Sequence, residues 1–453
     1  MGNLFASIGA AADSLRAFEQ TLSVAGNNIT NAQTPGYVRQ RMALSARPLQ
    51  LDSGLPGGVS ASGLVTTRRA YLENSVRMQV SREGYSAQQT FNFQQVEPVF
   101  DISAASGVAG ALDGLQRAFS QWSVTPNDQP SRQNVLRRAQ DVAHAFNFTA
   151  QALSNAAANA DNELVQSVNA VNRIGRMLQN FNAELRSDAR KLDDPGLDAQ
   201  VHAALEELAE YVDFTVIRPG DGTFSVYLGG QTPLALGGSL YPVSVEFGTG
   251  LPVIRDPEGA DITGQFTAGK IRALTDFRTG FLVDTVNELN FLAGQVADAV
   301  NIQLQAGVDL NGQPPVLDLF AYDSAGGAAA TLRLTGITAE ELSAAAPEAP
   351  GGNANALALA GLFTSRAVNN FTFTQYFGEI AGRVGKALSI ARSDRQTQSQ
   401  LVAQTRSLRD EASGVSLDEE AANLIVFQRA YQAAAQLIRT LDEMTETMIN
   451  IKR

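Results

Sequence analysis

Residues Ser14 to Gln40 read SLRAFEQTLSVAGNNITNAQTPGYVRQ. With the residues before them they place apolar side chains at Leu4, Ile8, Ala11, Leu15, Phe18, Leu22, Ala25 and Ile29, in alternating steps of four and three. A period of 3.5 keeps a narrow seam facing a partner helix, whereas 3.6 would let it drift around the axis. The stretch therefore predicts a coiled-coil helix ending near Asn31. In Thr34-Pro35-Gly36-Tyr37, Pro at the second position and Gly at the third predict a type II turn.

The other end of the chain keeps the same beat. Leu424, Phe427, Tyr431, Ala434, Ile438, Leu441 and Met448 form a second seam. It is preceded by Gly414, which breaks the stripe running from Phe377 to Ala412, and by Ser416-Leu-Asp-Glu419, the pattern of a capping box worth on the order of 1 kcal/mol. Each seam needs a partner: the other end, or both ends of neighbouring copies. Packing inside one globular bundle is the alternative. The seams are lean, with Ala11, Ala25 and Ala434 at core positions, and isolated helices of this length are marginal in water. Burying Leu15, Phe18, Leu22, Tyr431 and Ile438 contributes roughly 1.5–3 kcal/mol for each large side chain. Unassembled, the ends are expected to fray.

Between the ends the pattern is helical, with a loop or small hairpin region over residues 38–70, helices from about Tyr71 to Phe100 and Ala109 to Phe146, and a connector at SVTPNDQPSRQ in which Ser131 is a candidate cap. Helical patterning runs on through Leu185, breaks at LDDPGLD and resumes to Tyr211. At Val212 the character changes: residues 215–217, 224–228 and 241–245 are short β-rich runs separated by glycine-rich turns, a meander ending near Gly269. A long helix follows to about residue 305. Residues 307–370 are rich in Gly, Ala and Pro and hold one short candidate strand, Leu332 to Leu334; this segment is either flexible surface or a compact addition. The expected fold is mainly α with an inserted β-rich domain. Residues 1–40 and 414–453 form the terminal coiled-coil unit. Residues 41–211 and 269–413 form a helical-bundle core with its variable segment 307–370, and residues 212–268 form the β domain.

A chain of 453 residues, 44% hydrophobic and 18% charged, sustains a real core in two to four domains. A net charge of −12 argues against nucleic acid, whose phosphates need a concentrated basic face. The cluster Arg39, Arg41, Arg47, Arg68 and Arg69 is read as a solvated or intersubunit face. The chain has no cysteine, hence no disulfide, no thiolate nucleophile and no cysteine zinc site. No stretch approaches the roughly 20 apolar residues of a membrane helix. The start lacks the features of a cleaved secretory signal, so the chain is expected to stay in the cytoplasm or leave by a route that needs none.

Catalytic apparatus is not visible. His144 and His202 are the two histidines, far apart in helical segments and read as structural or exposed. Asp309, Asn311 and Gly312 resemble the start of a calcium loop without its remaining ligands, and are read as a turn. The acidic pairs Asp193-Asp194, Glu206-Glu207 and Glu419-Glu420 are read as helix-start or solvent-facing carboxylates. No catalytic residue, cofactor or metal site is expected.

Ser14 to Gln40 resembles the N-terminal signature shared by the axial proteins of the bacterial flagellum, the rod, hook and hook-associated proteins. Gly414 to Ile451, GVSLDEEAANLIVFQRAYQAAAQLIRTLDEMTETMINI, is similar to their C-terminal end. Within that family the chain looks most like the hook-associated members, because Gly414-Val415 stands where rod and hook proteins carry Asn-Val. DGLQRAFSQWSVTPNDQPSRQNVLRRAQDVAHAFN, the segment from Leu197 to Gly237, GVDLNGQPPVLDLF and GGNANALALA resemble interior segments of the same group. The resemblance implies a structural, non-enzymatic subunit at the junction of hook and filament, with terminal helices lining the tube wall and the β domain pointing outward.

It further implies ring assembly with itself and contact with the hook protein, a second junction protein and filament subunits. Capture by a cytoplasmic flagellar export chaperone, type III export and an extracellular location without membrane insertion follow from the same likeness. By position, Leu4, Ile8, Leu15, Phe18, Leu22, Ile29, Leu424, Phe427, Tyr431, Ile438, Leu441 and Met448 would form the assembly interface. Asn28, Asn31, Thr34, Pro35, Gly36 and Tyr37 would shape the turn, with Asn28 and Asn31 capping carbonyls of the helix or neighbouring amides. Ser416 and Glu419 would cap the last helix. A hook or distal-rod subunit is the alternative within the family. A displayed glycan-binding module and a cytoplasmic coiled-coil scaffold are the alternatives from other classes.

Overall fold

The structure, a computed structural model, describes residues 2–48, 57–101, 107–248 and 250–451. Helix α1 spans Gly2–Thr30. The turn predicted after it forms: Tyr37 N donates to Thr34 O at 3.1 Å and Gly36 takes φ +76°. Strands β1 (Gln40–Arg47) and β2 (Gly58–Thr66) then pair as an antiparallel hairpin laid against α1. Ser14 Oγ, which donates to Ala10 O, accepts Val59 N at 3.1 Å and so fixes the hairpin to the helix.

The middle of the chain is built on long helices: α2 (Ala70–Val96), α3 (Val108–Val124), α4 (Gln129–Ser187) and α5 (Pro195–Tyr211). The cap of α4 is Asp128, not Ser131: Asp128 Oδ2 accepts both Ser131 N (3.0 Å) and Ser131 Oγ (2.7 Å). An aspartate three residues upstream reaches the free amides of the first turn better than a serine already inside it. Asp194 caps α5 in the same way.

The β-rich insertion is richer than its three predicted runs. Strands β3 (Phe214–Ile217), β4 (Ser225–Leu228), β5 (Thr232–Leu236) and β6 (Ser239–Leu240) form an antiparallel meander in that order, and β7 (Ser244–Glu246) pairs with β8 (Val253–Arg255). The strand at 232–236 is masked in sequence by Pro233 and its flanking glycines. The sheet packs on α4 at Gly175, where an added Cβ would lie 2.8 Å from Leu240 Cδ1 and the leucines of the sheet would have to shift.

Helix α6 (Gly269–Asp276) runs through one π turn at 277–281 into α7 (Leu282–Gln305), as the single long helix predicted. Residues 307–370 resolve as a compact addition, with β9 (Phe320–Ala321), α8 (Ala328–Thr331), β10 (Arg333–Leu334) and α9 (Ala354–Leu362), and with Leu319, Phe320, Leu332, Leu342 and Leu359 buried. Buried Arg132 holds the segment down, donating to Pro126 O, Ala339 O and Leu342 O while lying over the Trp122 ring. Helix α10 (Phe373–Ser413) begins in a capping box of Thr372 and Gln375, packs along α2 and stops at Gly414. There a Cβ would sit 2.4 Å from Asp410 O. Helix α11 (Leu417–Ile451) returns along α1.

One device recurs where helix meets strand. Asn28, Asn172, Asn182 and Asn301 each offer an amide that both donates to and accepts from one backbone residue, Gln40, Val243, Phe224 and Phe320 respectively. A carboxamide matches the N–H and C=O that one extended residue presents on the same side, so it ties the first residue of a strand, or the one just before it, to a helix without leaving polar groups unpaired.

Candidate assembly site at the paired termini

α1 and α11 run antiparallel, since Asn28 near the end of α1 meets Glu420 at the start of α11 while Phe18 faces Phe427 at 6.4 Å between ring centroids. Leu4, Ile8, Leu15, Phe18, Leu22 and Ile29 are half-buried on α1, and Leu424, Phe427, Tyr431, Ile438 and Leu441 are half-buried on α11. Alanines at 11, 17 and 25 are buried, which lets the helices approach closely. Met448 is exposed. It belongs to a second apolar stripe on α11 with Val426, Leu437 and Met444, and Leu437 keeps 52% of its surface open; Ile425 and Ile449 are exposed but stand off this stripe. Reading a single heptad seam missed this row; its signal was the apolar residues standing outside the seam positions.

Where α1, the hairpin, α10 and α11 meet, a polar node replaces the apolar seam. Asn28 is 1% exposed. Its Nδ2 donates to Gln40 O (2.9 Å) and Glu420 Oε2 (3.2 Å), and its Oδ1 accepts Gln40 N (3.0 Å) and the Tyr37 hydroxyl (2.9 Å). Burial, with Glu420 nearby, pushes the Tyr37 phenol up to about 12, so it stays a neutral donor. Arg39 Nε donates to Glu420 Oε1 and Arg39 Nη1 to Glu419 Oε2, both at 2.6 Å. The Arg39 backbone links onward: its N–H donates to Ser413 O (2.9 Å) and its C=O accepts Thr67 N (3.1 Å). Asn31 bonds within its own turn, to Asn27, and accepts from Thr34 Oγ1. Ser416 Oγ accepts Glu419 N at 3.4 Å, while the Glu419 carboxylate turns to Arg39.

A second relay joins the node to the core. Arg68 spreads its guanidinium over Asp198 Oδ2 (2.8 Å), Glu73 Oε1 (2.6 Å) and Gly36 O (2.6 Å). Gly36 touches α5 so closely that a Cβ there would lie 2.5 Å from Ala199 O. His202 sits behind these groups against the edge of Phe224. Asp198 Oδ1 and Glu73 Oε2 lie 3.7 and 3.9 Å from its two ring nitrogens, but Arg68 already holds both carboxylates, and no hydrogen bond reaches the buried Nδ1 of the imidazole. Burial first, then Arg68, Arg77, Arg218 and Arg409, hold its pKa down at about 2, so it is neutral.

Two sequence readings are corrected here. Arg39 and Arg68 are neither a solvated nor an intersubunit face: both are buried in ion pairs within the chain, and Arg47 pairs with Asp13 on the surface. Glu420 and Glu206 are not solvent-facing carboxylates either. Glu420 is buried on Arg39, and Glu206 pairs with Arg406 and Arg409 of α10. Sequence periodicity carries no information about pairs separated by hundreds of residues. Asp309 accepts the amides of Asn311 and Gln313 in a local turn. Among the described residues no cluster of ligands suits a metal ion, and no helix is long and apolar enough to cross a membrane.

Comparison with known proteins gives the site its context. The family description "Flagellar hook-associated protein FlgK helical domain" matches residues 93–320, and "Flagellar basal body rod FlgEFG protein C-terminal" matches residues 406–451. The chain is 26% identical over 501 positions to flagellar hook-associated protein 1 of Bacillus subtilis, covering 99% of each chain. It is 22% identical over 555 positions to the protein of that name from Salmonella typhimurium, covering 97% of this chain and 98% of the relative. In fold it is similar to the solved flagellar hook junction protein FlgK of Burkholderia pseudomallei, with TM-score 0.66 at 15% identity over 76% of this chain and all of the other.

Proposed function

The chain belongs to the flagellar hook-associated protein FlgK family, and from that premise we propose that it polymerises through its paired terminal helices while the helical and β-rich middle lies outside the seam. It is a structural subunit of the bacterial flagellum, at the junction of hook and filament, and not an enzyme. The observation that carries the assembly reading is the division of α11 into two apolar rows. One row closes on α1; the other, Val426, Leu437, Met444 and Met448, is about half exposed among the described residues. Exposed apolar surface arranged as a stripe marks a contact with another molecule. The node of Asn28, Arg39 and Glu420 supports this reading, because it fixes the helix pair to the core and so sets the angle at which the outward row is presented.

In this proposal residues 1–40 and 414–453 form the polymerising unit, and Leu4, Ile8, Leu15, Phe18, Leu22, Ile29, Leu424, Phe427, Tyr431, Ile438 and Leu441 keep the pair closed. The outward row meets copies of the same chain, and then hook protein, a second junction protein and filament subunits with equivalent ends. Delivery by an export chaperone and the type III apparatus to the cell exterior belongs to the same proposal. Deleting the gene tests the position: complete hooks with filament subunits released into the medium are expected, whereas absence of hooks would assign the chain to the hook itself.

A further inference from the structure

β3 is the outer strand of the four-stranded sheet and, among the described residues, pairs with β4 alone. Beside it runs a cleft of about 420 Å³, walled by one face of α2, by Phe214, Thr215 and Val216, and by Asp213, whose carboxylate is taken up by Thr267 and Ala268. The α2 wall presents Asn74, Arg77, Met78, Ser81 and Arg82, spaced as one helix face. Three of these are unusual. Ser81 is 3% exposed, yet its Oγ has no hydrogen-bond partner. Among the described residues Arg77 donates through Nε to Glu73 O alone, and burial pulls its pKa down to about 10. Arg82 is exposed and has no carboxylate partner among the described residues. Glu73 and Glu206 offset only part of the burial cost of the Arg77 guanidinium, and the Ser81 hydroxyl beside it is unpaired.

We infer that this cleft receives an extended, carboxylate-bearing segment of a second copy of this chain, laid along β3 as an added strand with its carboxylate on Arg77 and Arg82. An unpaired strand edge supplies backbone donors and acceptors for such an addition, and flanking side chains select the sequence. Charge complementarity names the source. With 46 acidic against 34 basic residues the chain is itself acidic, so a neighbouring copy readily supplies the anion. The contact is heterologous, cleft against segment, the kind that propagates rings and tubes. It rests on the self-assembly proposed above.

Because the chain contains no cysteine, Ile217→Cys places a single thiol at the exposed end of β3 for a thiol-anchored photocrosslinker on the full chain, in assembled flagella. The expected product is an intermolecular adduct to an acidic stretch of a second copy, falling about tenfold when Arg77→Glu and Arg82→Glu are added. Arg82→Glu alone, at an exposed position that leaves folding intact, should also lower it. An adduct insensitive to both charge reversals, an adduct to a different protein, or no adduct while assembly proceeds would each overturn the site and leave the self-assembly reading standing. Failure of the unsubstituted chain to enter any assembly would overturn both.

Discussion

Arg39 and Glu420, 381 residues apart in the chain, meet through Nε and Oε1 at 2.6 Å with both side chains almost wholly withdrawn from water. This ion pair fastens the start of α11 to the chain leaving α1, and Asn28 completes it from the α1 side. Removing one partner from a buried pair leaves the other charge desolvated, at about 3–5 kcal/mol, while removing both is far milder. Arg39→Met and Glu420→Gln should each release α11, seen as faster proteolysis after residue 414 with the core unaffected. The double variant should recover much of the protection.

Asn28→Ala should leave the Gln40 peptide group without either partner and the Tyr37 hydroxyl without its acceptor. The cost is about 1–3 kcal/mol for each buried group left unpaired. Asn28→Asp should be as damaging, because it places a second carboxylate beside Glu420. Amide hydrogen exchange at Gln40 measures this directly, and rapid exchange is expected in both variants.

Gly36→Ala should destabilise by more than any cavity-neutral helix substitution, since the backbone there takes φ +76° and the new methyl would lie 2.5 Å from Ala199 O. Gly26→Ala is the matched comparison: it stands in α1 with open space around it and should stabilise by about 0.5–1 kcal/mol through helix propensity. Thermal melting of the two variants should move in opposite directions.

His202 makes stability fall with acid. Its folded pKa of about 2 lies below the ordinary value of 6.5, so the unfolded chain binds the extra proton between those limits. Stability from neutral His202 is complete above about pH 6.5 and declines below it by up to about 1.4 kcal/mol per pH unit. Between about pH 7.5 and about pH 5 the wild-type chain should lose about 2 kcal/mol that His202→Gln does not lose. Denaturant midpoints at the two pH values test this.

The terminal helices, the TPGY turn, the helical middle and the meander were legible because each is written in local period and turn chemistry. What escaped was long-range. Arg39 beside Glu420, Arg68 between Glu73 and Asp198, and Arg132 on the carbonyls of 339 and 342 join segments whose separation no window spans. Local reading placed Arg39 and Arg68 on a solvated or intersubunit face because arginine is seldom buried without a partner, and the partner lay elsewhere. The cap at Asp128 was missed for a different reason: two prolines in one connector left more than one plausible helix start.

The outward stripe of α11 is more than half open at Val426 and Leu437 and offers the most direct test. Val426→Asp with Leu437→Asp should leave the circular dichroism and melting of the purified chain unchanged, because both side chains are more than half exposed there. In cells the same variant should leave hooks without filaments and filament subunits in the medium. Filaments joined normally by a chain carrying both aspartates would contradict the assignment of α11 as the polymerising surface.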